Sequence, residues 1–201
     1  MTTTRELCRL LSATLHVPGV DRWAEQLGSR ELLPDADHEV NALDAALLLA
    51  AVVAAPRPAD APRVVVTLAD LPLVFVERRV GSAKFPTWLP GDDDDIEAMF
   101  GDPLEVLAAA IEEAPDPEGQ FIFGSLRIEE SGLSAEFHGC LGADYHEYRA
   151  GYALRVSGSP SGLTRFVEIH RDVIQAIAGA MWPTAELVVS NDESTLTKNI
   201  H

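Results

Sequence analysis

His138, Cys140, Asp144 and His146 fall within nine residues of one another. Imidazole, thiolate and carboxylate are the groups zinc takes, and a structural zinc site closes a tetrahedron from four of them. The spacing H-x-C-x3-D-x-H matches no finger or ribbon pattern, so the segment reads as a polar loop with incidental residues. Alternation places His138 and Cys140 on one face of a strand end, where the imidazole could serve as base to a thiol nucleophile. The sequence offers no third group to orient that imidazole. A denser charge run is Gly91-Asp92-Asp93-Asp94-Asp95-Ile96-Glu97. Carboxylates suit a hard divalent cation, but an EF-hand loop needs glycine at its sixth position and Glu97 stands there. Asp92, Asp93, Asp94 and Asp95 therefore read as solvated or partner-facing acids entering a helix N-terminus. Trp88, between Pro86 and Pro90 with Phe85 and Leu89 nearby, reads either as an interface anchor or as a seal over the core.

Other catalytic signatures are absent. The chain has no G-x-S-x-G elbow, no Walker loop and no G-x-G-x-x-G. Cys8 sits beside Leu7 and Leu11 and reads as a small buried hydrophobe. The residues thus assign no catalytic, cofactor or metal position, and the expected class is a non-enzymatic protein without a cofactor.

The elements that must carry these residues follow from caps and periodicity. Thr3 and Glu6 form a capping box, and Leu7, Leu10, Leu11 and Leu15 recur at helical spacing. His16-Val17-Pro18-Gly19 ends that helix. A second short helix buries Val20, Trp23, Ala24 and Leu27 and stops at Gly28. Asn41 and Asp44 open a third, running to about Ala55. The eight residues PRPADAPR, 56–63, then read as a semi-rigid linker and domain boundary. Beyond it, Val64 to Leu68 reads as a strand by β-branched propensity, with a helix through Leu71 as the alternative. Residues 78–101 read as irregular. Asp102-Pro103-Leu104-Glu105 is a helix start, with an Asp N-cap and Pro at the first position. Gln120 to Cys140 alternates and turns at Ser131-Gly132, which predicts a hairpin. Tyr152 to Val156 and Arg165 to Ile169 read as further strands. Val173 to Met181 reads as a last amphipathic helix, ended by Pro183.

The expected architecture is α+β. It comprises a three-helix domain of helix-turn-helix type (1–55), the proline linker (56–63), an antiparallel sheet with helices on one face (64–189), and a polar tail (190–201). In a helix-turn-helix the second helix reads bases, which needs Arg, Lys, Asn or Gln on its outer face. Arg22, Gln26 and Arg30 would be those residues. Residues 1–55 hold four basic against eight acidic residues. That balance offers little phosphate anchoring, so DNA is disfavoured and a protein-contact or dimer module is the alternative.

A resemblance lies in the run LCRLLSATLHVPGVDRWAEQLGSRELLP followed by ALDAALLLAAVVA, and in FGDPLEVLAAAIEEA and LTRFVEIHRDVIQAIAGAM. These resemble uncharacterised prophage proteins of GC-rich bacteria, in which a winged-helix-like start leads into an alanine- and leucine-rich helix and then an α+β region. The resemblance implies a phage or mobile-element accessory protein. It carries no catalytic residues across.

Composition bounds the rest. Of 201 residues, 47% are hydrophobic and 23% charged, enough for a core and too apolar for wholesale disorder. Lys and Arg total 15 against 32 Asp and Glu, for a net charge of -17. Such a surface repels nucleic acid and anionic lipid at long range. The N-terminus has no signal-peptide pattern, and the longest apolar run, Ala45 to Ala55, is about half the roughly 20 residues a membrane span needs. A cytoplasmic protein with two reduced thiols and no membrane association is expected. The leading function is contact with an unidentified protein partner, with a homodimer as a further expectation. The alternatives are a helix-turn-helix regulator and an acidic DNA mimic built on the Asp92–Asp95 run and Glu112-Glu113.

Overall fold

The computed structural model describes residues 2–80, 83–84, 100–114, 121–130, 133–141, 146–154 and 165–182. Three helices begin at side-chain caps that the sequence specifies. Thr3 and Glu6 close a reciprocal capping box at α1 (Thr4–Leu15), and Asn41 and Asp44 close one at α3 (Ala42–Ala54). Between them lies α2 (Asp21–Gly28). His16 takes the left-handed conformation, φ 55°, to end α1, and Ser12 Oγ donates to the Val17 carbonyl at 2.7 Å across that turn.

Residues 56–63 are not a free linker. Pro58–Asp60 forms a single 3-10 turn, fastened by Arg57 Nε donating to Asp60 Oδ2 at 2.9 Å, and α4 (Ala61–Ala69) starts directly after it. The Val64–Leu68 strand expectation is corrected by the same helix. Val64, Val65 and Leu68 are buried on one helical face, and Pro62 sits in its first turn. Tertiary burial overrides β-branched propensity here.

Asp102 caps α5 (Pro103–Glu113) through the amides of Leu104 and Glu105, with the third reciprocal capping box. The last described helix is α6 (Arg171–Met181). Among the described residues six antiparallel strands form one sheet: β1 (Leu73–Val80), β2 (Ala83–Lys84), β3 (Phe121–Glu129), β4 (Ser134–Leu141), β5 (His146–Ala153) and β6 (Phe166–His170). Their order is β2-β1-β5-β4-β3-β6. The predicted hairpin is β3–β4. Two strand readings need correction. Residues 73–80 form β1, where irregular chain was expected from 78, and β5 starts at His146 rather than Tyr152. In β1 the run Glu77-Arg78-Arg79 puts charged residues on both faces, and in β5 Glu147 and Arg149 charge one face, so neither strand shows a plain apolar–polar period of two.

The inner face of the sheet carries Val76, Leu126, Ile128, Phe137, Ala150, Tyr152 and Ile169, all buried. Phe100 ties sheet to helices. Its ring lies 6.0 Å from Phe137 and 5.7 Å from Tyr148, and its carbonyl accepts from Tyr152 Oη at 2.8 Å. α3 packs on α5 as well as on α4, and its Ala45–Ala55 run is core almost all round. Leu43, at 45% exposure, is a large apolar side chain of that helix that stays open. Buried residues before and after the proline segment belong to a single core. The start of α1 also meets the end of α6, with Thr2 Oγ1 donating to the Ala180 carbonyl at 2.9 Å.

Candidate functional site

The helices pack on the inner face of the sheet, and the register defines the residues of the outer one. Glu77, Arg149, His138, Ser125 and His170 stand in one row across β1, β5, β4, β3 and β6. Phe75, Gly151, Glu136, Arg127 and Glu168 form the row beside it. Alternation along each strand delivers these residues to one surface. A Cβ on Gly151 would run into the Phe75 ring, so the bare backbone there lets the ring lie across β5.

Charge pairs organise the centre of this face. Arg149 Nη2 donates to Glu136 Oε2 at 2.6 Å, and Arg149 Nη1 stands 3.5 Å from Glu77 Oε2. His138 Nε2 lies 2.7 Å from the other oxygen of Glu136. The Arg149 hydrogen bond, aided by His138, holds the Glu136 carboxyl below its ordinary range, and Glu136 raises Arg149 in turn. Two arginines also cover aromatic rings: Arg127 lies 4.1 Å from the centroid of Phe166, and Arg149 lies 5.2 Å from that of Phe75. Phe166 is 43% exposed at the sheet edge. A shallow cavity of about 290 Å³ lies beside the network, between Glu77, Arg79, His138, Cys140, Glu147 and Arg149.

His138 and Cys140 do share this face, as alternation predicts, but inside β4 rather than in a polar loop. His146 opens β5, and Asp144 lies outside the described residues. Glu136 is the orienting carboxylate that the sequence did not reveal. Its signal was its position two residues before His138, which only becomes meaningful once that segment is a strand. The arrangement still does not activate the thiol. Burial, and then Glu147 opposite, push Cys140 upward, away from the thiolate that nucleophilic work needs. Among the described residues no three His, Cys, Asp or Glu side chains are grouped to hold a metal.

A second concavity, of about 750 Å³, opens between α1 and α2. Cys8 and Val20 form its floor, at 8% and 1% exposure, and burial pushes the Cys8 thiol up to about 11. Arg22 and Gln26 are exposed one turn apart on α2, and Arg30 is exposed just beyond its end. Asp21 and Glu25 are exposed on the same helix. Trp88 and Asp92, Asp93, Asp94 and Asp95 lie outside the described residues.

The fold and this face define an α+β protein with a helix layer on one side of an antiparallel sheet. No protein-family model matches the chain, and no curated protein or solved structure matches it either. Among the described residues no helix is long and apolar enough to cross a membrane.

Proposed function

We propose that the protein is a non-enzymatic accessory protein of phage type that acts through protein contacts, and that the outer face of the sheet receives its partner. The observation that carries this reading is the pair of arginine–aromatic stacks, Arg127 on Phe166 and Arg149 on Phe75, on either side of the Glu136 ion-pair network. Aromatic and arginine side chains are the residues enriched where protein interfaces are buried. The network holds Arg149 and Glu136 in place, so these groups lose little freedom on docking. The partner is a protein of net positive charge. A molecule of net charge -17 steers such partners toward itself and turns acidic ones away.

The test is capture from host lysate with purified chain, followed by binding with the recovered partner. Phe166→Asp with Arg127→Glu is expected to weaken binding at least tenfold, and Arg22→Ala with Arg30→Ala to leave it unchanged. Equal binding by all variants, or an acidic partner, overturns the reading.

A second reading is a helix-turn-helix regulator, with Arg22, Gln26 and Arg30 as the reading residues on α2. Their common exposure supports it. Asp21 and Glu25 on the same eight-residue helix oppose phosphate contact. Anisotropy with DNA from the protein's own locus at two salt concentrations decides it. Tight, salt-sensitive binding lost in Arg22→Ala with Arg30→Ala would support it, and no binding at low salt excludes it.

A further inference from the structure

The groove between α1 and α2 has walls of opposite sign. Arg5 and Arg9 line it from α1, and Asp21 and Glu25 line it from α2. All four are exposed. Arg5 is partly engaged, at 3.1 Å from Asp37, and Asp35 stands at the rim where the loop closes one end. The floor is narrow and apolar, built from Cys8, Val20 and Ala24, with Gly28 at the far end of α2.

Gly28 is not required by the fold. It has no positive φ, and a Cβ there would meet only the Leu33 carbonyl oxygen, at 3.8 Å. Its smallness therefore leaves room for something outside the chain, as does that of Ala24 one turn earlier.

We propose that this groove is a self-association surface, occupied by the α1–α2 pair of a second copy of this chain. A two-fold interface brings the same patch of each copy against the other. The basic wall of α1 in one copy then faces the acidic wall of α2 in its partner, and the reverse contact repeats across the axis. A basic wall and an acidic wall on neighbouring helices make a patch complementary to itself. A purely acidic or purely basic groove would repel its own copy. The small residues Ala24 and Gly28 along α2 let α1 of the partner lie closely against it. Thirteen residues line the groove, about half of the 20–30 a side that a standard interface uses. A small interface of this kind is expected to form a concentration-dependent dimer. At 0.15 M salt the repulsion between two acidic molecules is screened beyond about 8 Å, while the groove contacts act inside that distance. The proposal is independent of the outer sheet face.

Sedimentation velocity of the full chain between 10 and 200 μM in 0.15 M salt tests it. The wild type is expected to shift from monomer to dimer over that range. Arg5→Glu with Arg9→Glu, and separately Asp21→Lys with Glu25→Lys, are each expected to weaken the dimer at least tenfold. An equimolar mixture of those two variants is expected to dimerise again, because every wall then meets its opposite. Far-UV circular dichroism reports whether each variant is folded. Should a charge variant fail to fold, Gly28→Leu, which adds bulk without charge, is expected to abolish the dimer by itself. A wild type that stays monomeric at 200 μM overturns the proposal. So does a dimer that survives Gly28→Leu, or a mixture of folded variants that stays monomeric.

Discussion

Replacing Leu107 by alanine tests whether the proline segment separates two domains or lies within one. Leu107 is fully buried on α5, the helix that packs on α3 from the other side of residues 56–63. A leucine-to-alanine change at such a site removes the transfer free energy of the side chain and leaves a cavity. The cost is about 3 kcal/mol. For a chain of this size each kcal/mol lowers Tm by roughly 2–4 °C, so the expected fall is about 6–12 °C. Differential scanning calorimetry is the assay. One core predicts one endotherm that moves as a whole, with helix and sheet signals lost together in circular dichroism. Leu43→Ala, at a residue 45% exposed on α3, is the control and should cost under about 0.5 kcal/mol. Two resolved transitions, with only the later-melting or earlier-melting one shifted by Leu107→Ala, would refute the single core. A Leu107→Ala shift no larger than that of the control would refute the packing of α5 on α3.

Three smaller perturbations probe the site and its support. Tyr152→Phe leaves the Phe100 carbonyl without its 2.8 Å donor in a buried setting, and urea denaturation should show a loss of about 1–3 kcal/mol. Glu136→Gln should cost about 1 kcal/mol at pH 7 by weakening the bonds to Arg149 and His138. The folded-state pKa of Glu136 lies below its ordinary 4.5, so its contribution is fully present above that value and is lost as pH falls through the lowered one. Stability measured from pH 6 to pH 3 should therefore fall less steeply in Glu136→Gln than in the wild type, and parallel curves would contradict the ion pair. Iodoacetamide at pH 8 should label both cysteines slowly in the folded chain, and Cys140 before the more buried Cys8. A Cys8 thiol pushed up to about 11 is only about one part in a thousand thiolate at that pH. Mass spectrometry of timed digests reads the order, which should vanish in urea.

What the sequence made legible was local. The capping boxes at Thr3, Asn41 and Asp102 are short-range chemistry, a side chain reaching an amide three residues away, and each appears at its predicted position. The pairing of β3 with β4 was legible for the same reason, since the alternation of both strands sits in neighbouring residues, while the predicted turn at Ser131-Gly132 lies outside the described residues. The misread segments depend on distant partners. Val64–Leu68 has strand propensity but is helical because Val64, Val65 and Leu68 meet the core on one helical face. The PRPADAPR segment has a linker composition, yet Ala61 is buried in a core shared by both halves.

The outer face of the sheet was hidden by the same cause. Its residues come from strands scattered over about a hundred positions, and nothing local joins Glu77 to Arg149 or Glu136. His138 and Cys140 drew notice as isolated types with metal-like chemistry, but their neighbours across the strands set their behaviour. Glu136 takes the imidazole, and burial with Glu147 behind it raises the thiol, so the segment that looked most like chemistry is held in a charge network instead. The aromatic residues beside that network, Phe75 and Phe166, carried no motif of their own. They become candidates for contact only because the register sets an arginine over each ring. A surface made in this way depends on the sheet for every one of its distances. A change that slips the register, more than one that removes a single charge, should therefore abolish it.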